Sequence, residues 1–138
     1  MEPIIESEFE YRGHPCVVMF MPWGLHRCGY VGIQKGTLVK VKNIECHGGI
    51  TYKSGGLYKQ DRKDVWWIGF DTAHCYDARD FETGRRIYKD NPDELYRILL
   101  LDKLDHDIDT GGVVRTQEFC EDECKKIVDQ LEEKNATL

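Results

Sequence analysis

Long apolar runs are missing from this sequence. Nothing approaches the roughly 20 consecutive apolar residues that a bilayer-spanning helix needs, so a helical membrane protein is excluded. A basic excess is missing too: the net charge is -6, whereas general nucleic-acid and membrane-surface binders need cationic patches. A pocket for one nucleotide escapes this exclusion, because it needs only one or two cations and some backbone N–H groups. The N-terminal MEPIIESEFE is acidic and lacks the charged-then-apolar order of a signal peptide, so a cytosolic chain is expected. There is no C-x-x-C among the six cysteines (Cys16, Cys28, Cys46, Cys75, Cys120, Cys124). In the cytosol they are thiols. Cys120 and Cys124, one helical turn apart, make half of a zinc site at best, and most of the six read as buried small hydrophobes. Repeats and low-complexity segments are also absent.

What is present fits one domain over residues 1–138, long enough to bury a core without staples. Phe9 to Tyr11 and Cys16 to Phe20 flank Arg12-Gly13-His14-Pro15, which predicts an opening β-hairpin. Pro22-Trp23-Gly24 ends its second strand, and Leu25 to Ile33 predicts a third. Val39 to Lys42 alternates apolar and charged residues, as a short edge strand would. Ile44 to Tyr52 reads as a strand interrupted by Gly48-Gly49, and Lys53 to Asp64 as a surface loop. Val65 to Phe70 is β-branched and aromatic, which suits a strand buried on both faces.

Ala78 to Asp90 is charged and weakly patterned. Asn91-Pro92-Asp93-Glu94 is a helix start, with an Asn cap, proline at the first position and acids on the positive dipole end. That helix is expected to end near Leu104, with the acidic Asp102 to Asp109 as a solvated loop and Val113-Val114 as a last short strand. Thr116 predicts the cap of a C-terminal helix to about Lys134, whose stripe of Phe119, Cys120, Cys124, Ile127, Val128 and Leu131 packs on the sheet. The fold class is α+β: a mainly antiparallel sheet with an amphipathic C-terminal helix packed on it.

Chemistry concentrates in three stretches, His26 to Gly32, His47 to Tyr52 and Trp66 to His74, each joining a histidine to glycine and strand formers. At the end of the buried strand, Asp71, His74 and Asp77 follow at steps of three. If these strands are neighbours, His26, His47, Asp71 and His74 meet at one end of the sheet. Three readings compete with a purely structural one. His47, His74 and an aspartate have the nitrogen and oxygen donors that zinc or manganese accept. Asp71 orienting a histidine makes a general base. Gly48 and Gly49 let backbone N–H groups approach a phosphate or ribose, while Trp66, Trp67 or Tyr30 stack on a base. In the structural reading Asp71 caps the turn through Ala73 or His74, the histidines are hydrogen-bonded to backbone, and Tyr30 and the tryptophans are core. His14, His106 and Arg85-Arg86 are given no role.

The same stretches carry a resemblance. Cys28 to Val31, His47 to Tyr52 and Trp66 to Asp77 resemble the C-G-Y-V, H-G-G-(L/I)-T-Y and W-W-x-G-F-D-x-A-H-x-x-D signature of a family of small uncharacterised bacteriophage proteins. Thr116 to Phe119 and Glu123 fit the same pattern, whereas Phe81 to Gly112 departs from it and reads as an insertion. The resemblance implies a phage accessory protein in the cytoplasm of the host bacterial cell. On it rests the expectation of a host-defence antagonist that binds or sequesters a small nucleotide-like ligand. The alternatives are a small hydrolase, metal-dependent or not, and a protein-binding inhibitor of a host immune complex. The ligand-binding set is His26, Tyr30, His47, Gly48, Gly49, Asp71, His74 and Asp77, with no cofactor and no metal ligand assigned. The expected partner is that ligand or a host defence protein; homo-oligomerisation is left open.

Overall fold

A computed structural model describes residues 1–108 and 111–133. The strands are β1 (Ile4–Tyr11), β2 (His14–Met21), β3 (His26–Gln34), β4 (Tyr52–Ser54) and β5 (Val65–Asp71). They form one antiparallel sheet in the order β1-β2-β3-β5-β4. The β1–β2 turn is Arg12-Gly13, both left-handed (φ 49° and 82°), as a two-residue hairpin turn matching strand twist requires. A short parallel pair, β6 (Asp77–Ala78) and β7 (Val113–Val114), lies beyond the end of β5.

Period-two alternation sends the two sets of strand side chains into two cores. Cys16, Val18, Val31, Ile33, Ile68 and Phe70 meet α3 (Gln117–Glu132) through Cys120, Cys124, Ile127, Val128 and Leu131. Burying this apolar face stabilises the fold at roughly 25 cal/mol per Å². Thr116 caps α3 by accepting the Phe119 N–H at 3.1 Å, and the helix turns its expected stripe to the sheet. Lys134 lies outside the described residues. On the opposite face, Val17, Met19, Met21, Cys28, Tyr30, Val65 and Trp67 are covered by Ile5, Tyr52, Leu57 and Tyr58. Residues 53–64 are therefore more than a surface loop: Leu57 and Tyr58 pack on the core, and Gln60 Nε2 donates to Glu8 Oε1 at 2.6 Å.

Several expectations are corrected. Val41–Asn43 is a 3-10 turn, not part of an edge strand. Residues 44–51 are irregular chain with a turn at His47-Gly48, and only Tyr52–Ser54 is a strand, because Gly48 and Gly49 both sit at positive φ (69° and 79°) and break the ladder. Residues 78–90 contain α1 (Phe81–Ile87), started by Asp80 accepting the Thr83 N–H. The next helix, α2 (Pro92–Asp107), begins at the Asn91 cap as expected but runs through the acidic stretch rather than stopping near Leu104. Its acids pair along the surface, Asp102 with Arg85 and Asp105 with Arg79, so the charge is no bar to helix. Asp109 of that stretch lies outside the described residues. Trp66 is 50% exposed, so β5 is not sealed on both faces along its whole length.

Around Phe20, Leu25 and Ile98 a third cluster ties α1 and α2 to the sheet. Beside it the buried Arg27 guanidinium donates to Glu6 (2.6 Å) and Asp80 (2.8 Å). No described helix is long and apolar enough to cross a membrane.

Candidate functional site

The sheet ends at Asp71, and the chain turns back over its own end through residues 72–76. Asp71 stops β5 because its Oδ1 accepts the Ala73 N–H at 3.0 Å, while Oδ2 accepts the Thr51 hydroxyl at 3.0 Å. This is the turn-capping role that any aspartate could play here. The Thr51 N–H donates to the Gly69 carbonyl at 2.9 Å, which holds the 46–51 segment alongside β5. Within that segment the Gly49 N–H closes a turn on the Cys46 carbonyl at 3.0 Å. Such a turn needs a left-handed residue at its third position, and that residue is Gly48. Gly48 is required twice over, since a Cβ there would run into the His74 ring. Glu123 of α3 pins the turn from behind by accepting the His47 N–H at 2.8 Å.

Asp77 is the centre of the cluster. Its Oδ1 accepts from His47 Nε2 and from Arg115 Nε, both at 2.8 Å. Its Oδ2 accepts from His74 Nδ1 at 2.8 Å and from the His74 backbone N–H at 3.1 Å. Four donors thus fill the roughly four lone-pair directions of a carboxylate. The side chain is 1% exposed. Burial alone would raise its pKa; the His47, Arg115 and His74 hydrogen bonds outweigh that and hold it at about 2. An ionised carboxylate only accepts, so His47 carries its proton on Nε2 and His74 on Nδ1. The remaining nitrogen of His74, Nε2, stands 3.5 Å from Asp71 Oδ1.

Aromatic contacts fix the rings in place. His74 stacks on Tyr76 (centroids 5.0 Å apart, 8° between planes), and His47 meets His74, Tyr76 and Phe119 edge-on. Arg115 reaches Asp77 because β6 and β7 pair in register, and it lies over the Phe119 ring at 5.1 Å. Gly112 makes that pairing feasible: a Cβ there would come within 2.7 Å of the Asp77 carbonyl oxygen.

His74 and Asp77 form part of the wall of a cleft of about 530 Å³, which His26, Cys75, Arg79, Phe81 and Asp105 also line. That volume falls in the range of small-molecule sites. Burial pushes the His26 pKa down, against the Gly24 backbone and the Asp71 charge, which pull it up. A second depression, of about 570 Å³, lies under the β1–β2 turn. The histidine there, His14, is tied to the Gly32 carbonyl and to Glu132.

Of the residues singled out in the sequence, His47, Gly48, Asp71, His74 and Asp77 come together, and His26 stands on the adjoining wall. Gly49 serves its turn through a positive φ and has no neighbour within 4 Å of a Cβ position. Tyr30 stands apart: it is 6% exposed in the core and edge-on to Tyr52. Trp67 is fully buried, and Trp66 carries Lys35 over its ring. None of these three rings lines the cleft. Arg115, Thr51 and Tyr76 were not legible as site residues, and Glu123 was visible only as part of the resemblance. Arg115 follows two exposed valines, and only the parallel β6–β7 pairing shows what it is for. No protein-family model, no curated protein and no solved structure matches the chain.

Proposed function

We propose that this chain is a phage accessory protein that captures a small nucleotide-like ligand in the cleft beside His74 and so blunts a host defence. One observation carries the reading: the buried Asp77 carboxylate fixes two imidazoles in orientation, and one of them, His74, stands on the wall of a cleft of ligand size. A fixed imidazole needs no reordering when a ligand arrives, which removes part of the entropic cost of binding. Arg79 and the imidazoles suit a phosphate. Phe81 offers the cleft an aromatic ring for a base, and Tyr76, stacked on His74, braces that imidazole from outside the lining. The cytoplasm of the host bacterial cell is where such a ligand would be met.

Thermal unfolding against a panel of linear and cyclic nucleotides tests this. A ligand of this class should raise the melting temperature of the parent and not of His74→Ala. A panel that leaves the parent unmoved throughout, at millimolar concentrations, sinks the proposal.

The His74–Asp77 pair also favours a second reading, hydrolysis. A carboxylate on Nδ1 leaves Nε2 as the base that takes a proton from water. Incubating the protein with a ligand that binds, heating it, and chromatographing the supernatant separates the two. Intact recovery means capture, and new products mean catalysis.

A further inference from the structure

We infer that His47, His74 and Asp77 form a three-ligand site for one divalent transition-metal ion, zinc by the chemistry of its donors. The site stands independently of whether the cleft takes a nucleotide. One ligand atom from each residue lies within 4.8 Å of the other two. Two imidazole nitrogens and a carboxylate oxygen are a donor set that zinc accepts, and three protein ligands leave a position open for water or substrate, as catalytic zinc sites do. His74 and Asp77 line the cleft, so an ion has a path in. His47 is 10% exposed and Asp77 1%, so an ion there is shielded from bulk water on its inner side.

Charge points the same way. The carboxylates of Asp71, Asp77 and Glu123 all make contact with the two histidines, while Arg115 is the guanidinium bonded to Asp77. The local excess is negative and suits a dication.

A second carboxylate stands on the far side of the His74 ring, with Asp71 Oδ1 3.5 Å from Nε2. A metal held through Nδ1 leaves the ring proton on Nε2, where Asp71 can accept it. Asp71 then plays the part of the outer carboxylate that orients a metal-bound histidine. Arg115 keeps Oδ1 of Asp77, and Oδ2 is the oxygen nearer His74.

Stripping the full chain with a chelator and titrating it with zinc by calorimetry, and with cobalt by visible absorption, tests the site. One zinc per chain should bind and raise the melting temperature. The cobalt spectrum should show ligand-field bands without a thiolate charge-transfer band. His47→Gln and His74→Gln should each abolish stoichiometric binding, and Asp71→Asn should weaken it about 10–100-fold. His14→Gln, whose ring sits elsewhere between Gly32 and Glu132, should bind as the parent does. Absence of saturable binding at one zinc per chain overturns the inference. So does binding retained in both glutamine variants, or a cobalt–thiolate band, which remains decisive if a variant fails to fold. A metal-free chain that still captures a nucleotide removes the metal alone; a zinc-loaded chain that captures none removes the capture alone.

Discussion

His74 Nδ1 and Asp77 Oδ2 lie 2.8 Å apart across three residues of chain, and the same carboxylate oxygen also accepts the His74 backbone N–H. One residue thus closes the turn and aims the ring that the turn carries. Structure and chemistry are joined at that carboxylate.

The acid limb of stability should therefore depend on Asp77. Its folded pKa is held at about 2, below the ordinary 3.8. A depressed carboxylate contributes stability that is complete above its unfolded value and is lost as pH falls through its folded one. Melting temperature should fall between pH 4 and pH 2. Asp77→Asn, less stable at neutral pH, should show a shallower fall over that window. Parallel acid limbs for parent and variant would mean that other carboxylates set the slope.

Asp71 separates capping from function. Asparagine caps turns about as well as aspartate, so Asp71→Asn should melt near the parent, whereas Asp71→Ala should lose roughly 0.5–2 kcal/mol. Its charge and second acceptor face Thr51 and His74. The asparagine variant should accordingly fold, lose ligand binding, and hold metal about 10–100-fold more weakly. A variant that both melts and binds like the parent would make Asp71 a turn residue only.

Gly48 and Gly49 should respond differently to alanine. Both sit at positive φ, and each substitution should lose about 1–2 kcal/mol to backbone strain. Only at position 48 does the new methyl meet the His74 ring. Gly48→Ala should be the less stable of the two and should displace the imidazole, seen as a changed His74 ring resonance by NMR. Equal losses with an unmoved resonance would contradict the contact.

Thiol chemistry should rank the cysteines by burial. Burial pushes Cys16, Cys28 and Cys120 up to about 12 and Cys46 to about 11, while Cys75 is exposed. Alkylation of the native protein near pH 8, read by peptide mass spectrometry, should label Cys75 first. After denaturation all six should react; fewer would reveal a disulfide or a bound metal.

Much of this was legible in the sequence where local rules decide the outcome. Asn91-Pro92 and Thr116 start helices through their own side chains, and the α3 stripe is sorted by helical period alone. The left-handed Arg12-Gly13 turn makes the first hairpin self-defining. Legibility failed where tertiary pairing overrides local pattern. The segment around Gly48 looked like a strand because its neighbours are strand formers, yet the turn and Glu123 hold it out of the sheet. The α2 helix hides its period because Tyr96, Leu99, Leu100 and Leu104 are at least half exposed while Ile98 is buried. The site was half visible: His47, Asp71, His74 and Asp77 stand in recognisable motifs, but Arg115 is brought in by a two-residue strand pair. Arg27 was hidden too, because nothing local announces that Glu6 and Asp80 will close on it.

The Asp77 hub also bears on how the protein opens. It gathers His47 from 30 residues away and Arg115 from 38, and Glu123 reaches the same turn across 76. Contacts of such separation form only after the chain between them is ordered, and they are lost with it. The cluster therefore belongs to the cooperative unit of the sheet rather than to a loop that frays alone. Whatever occupies it, small molecule or ion, should slow amide exchange in the middle of β3 and β5, far from any atom it touches.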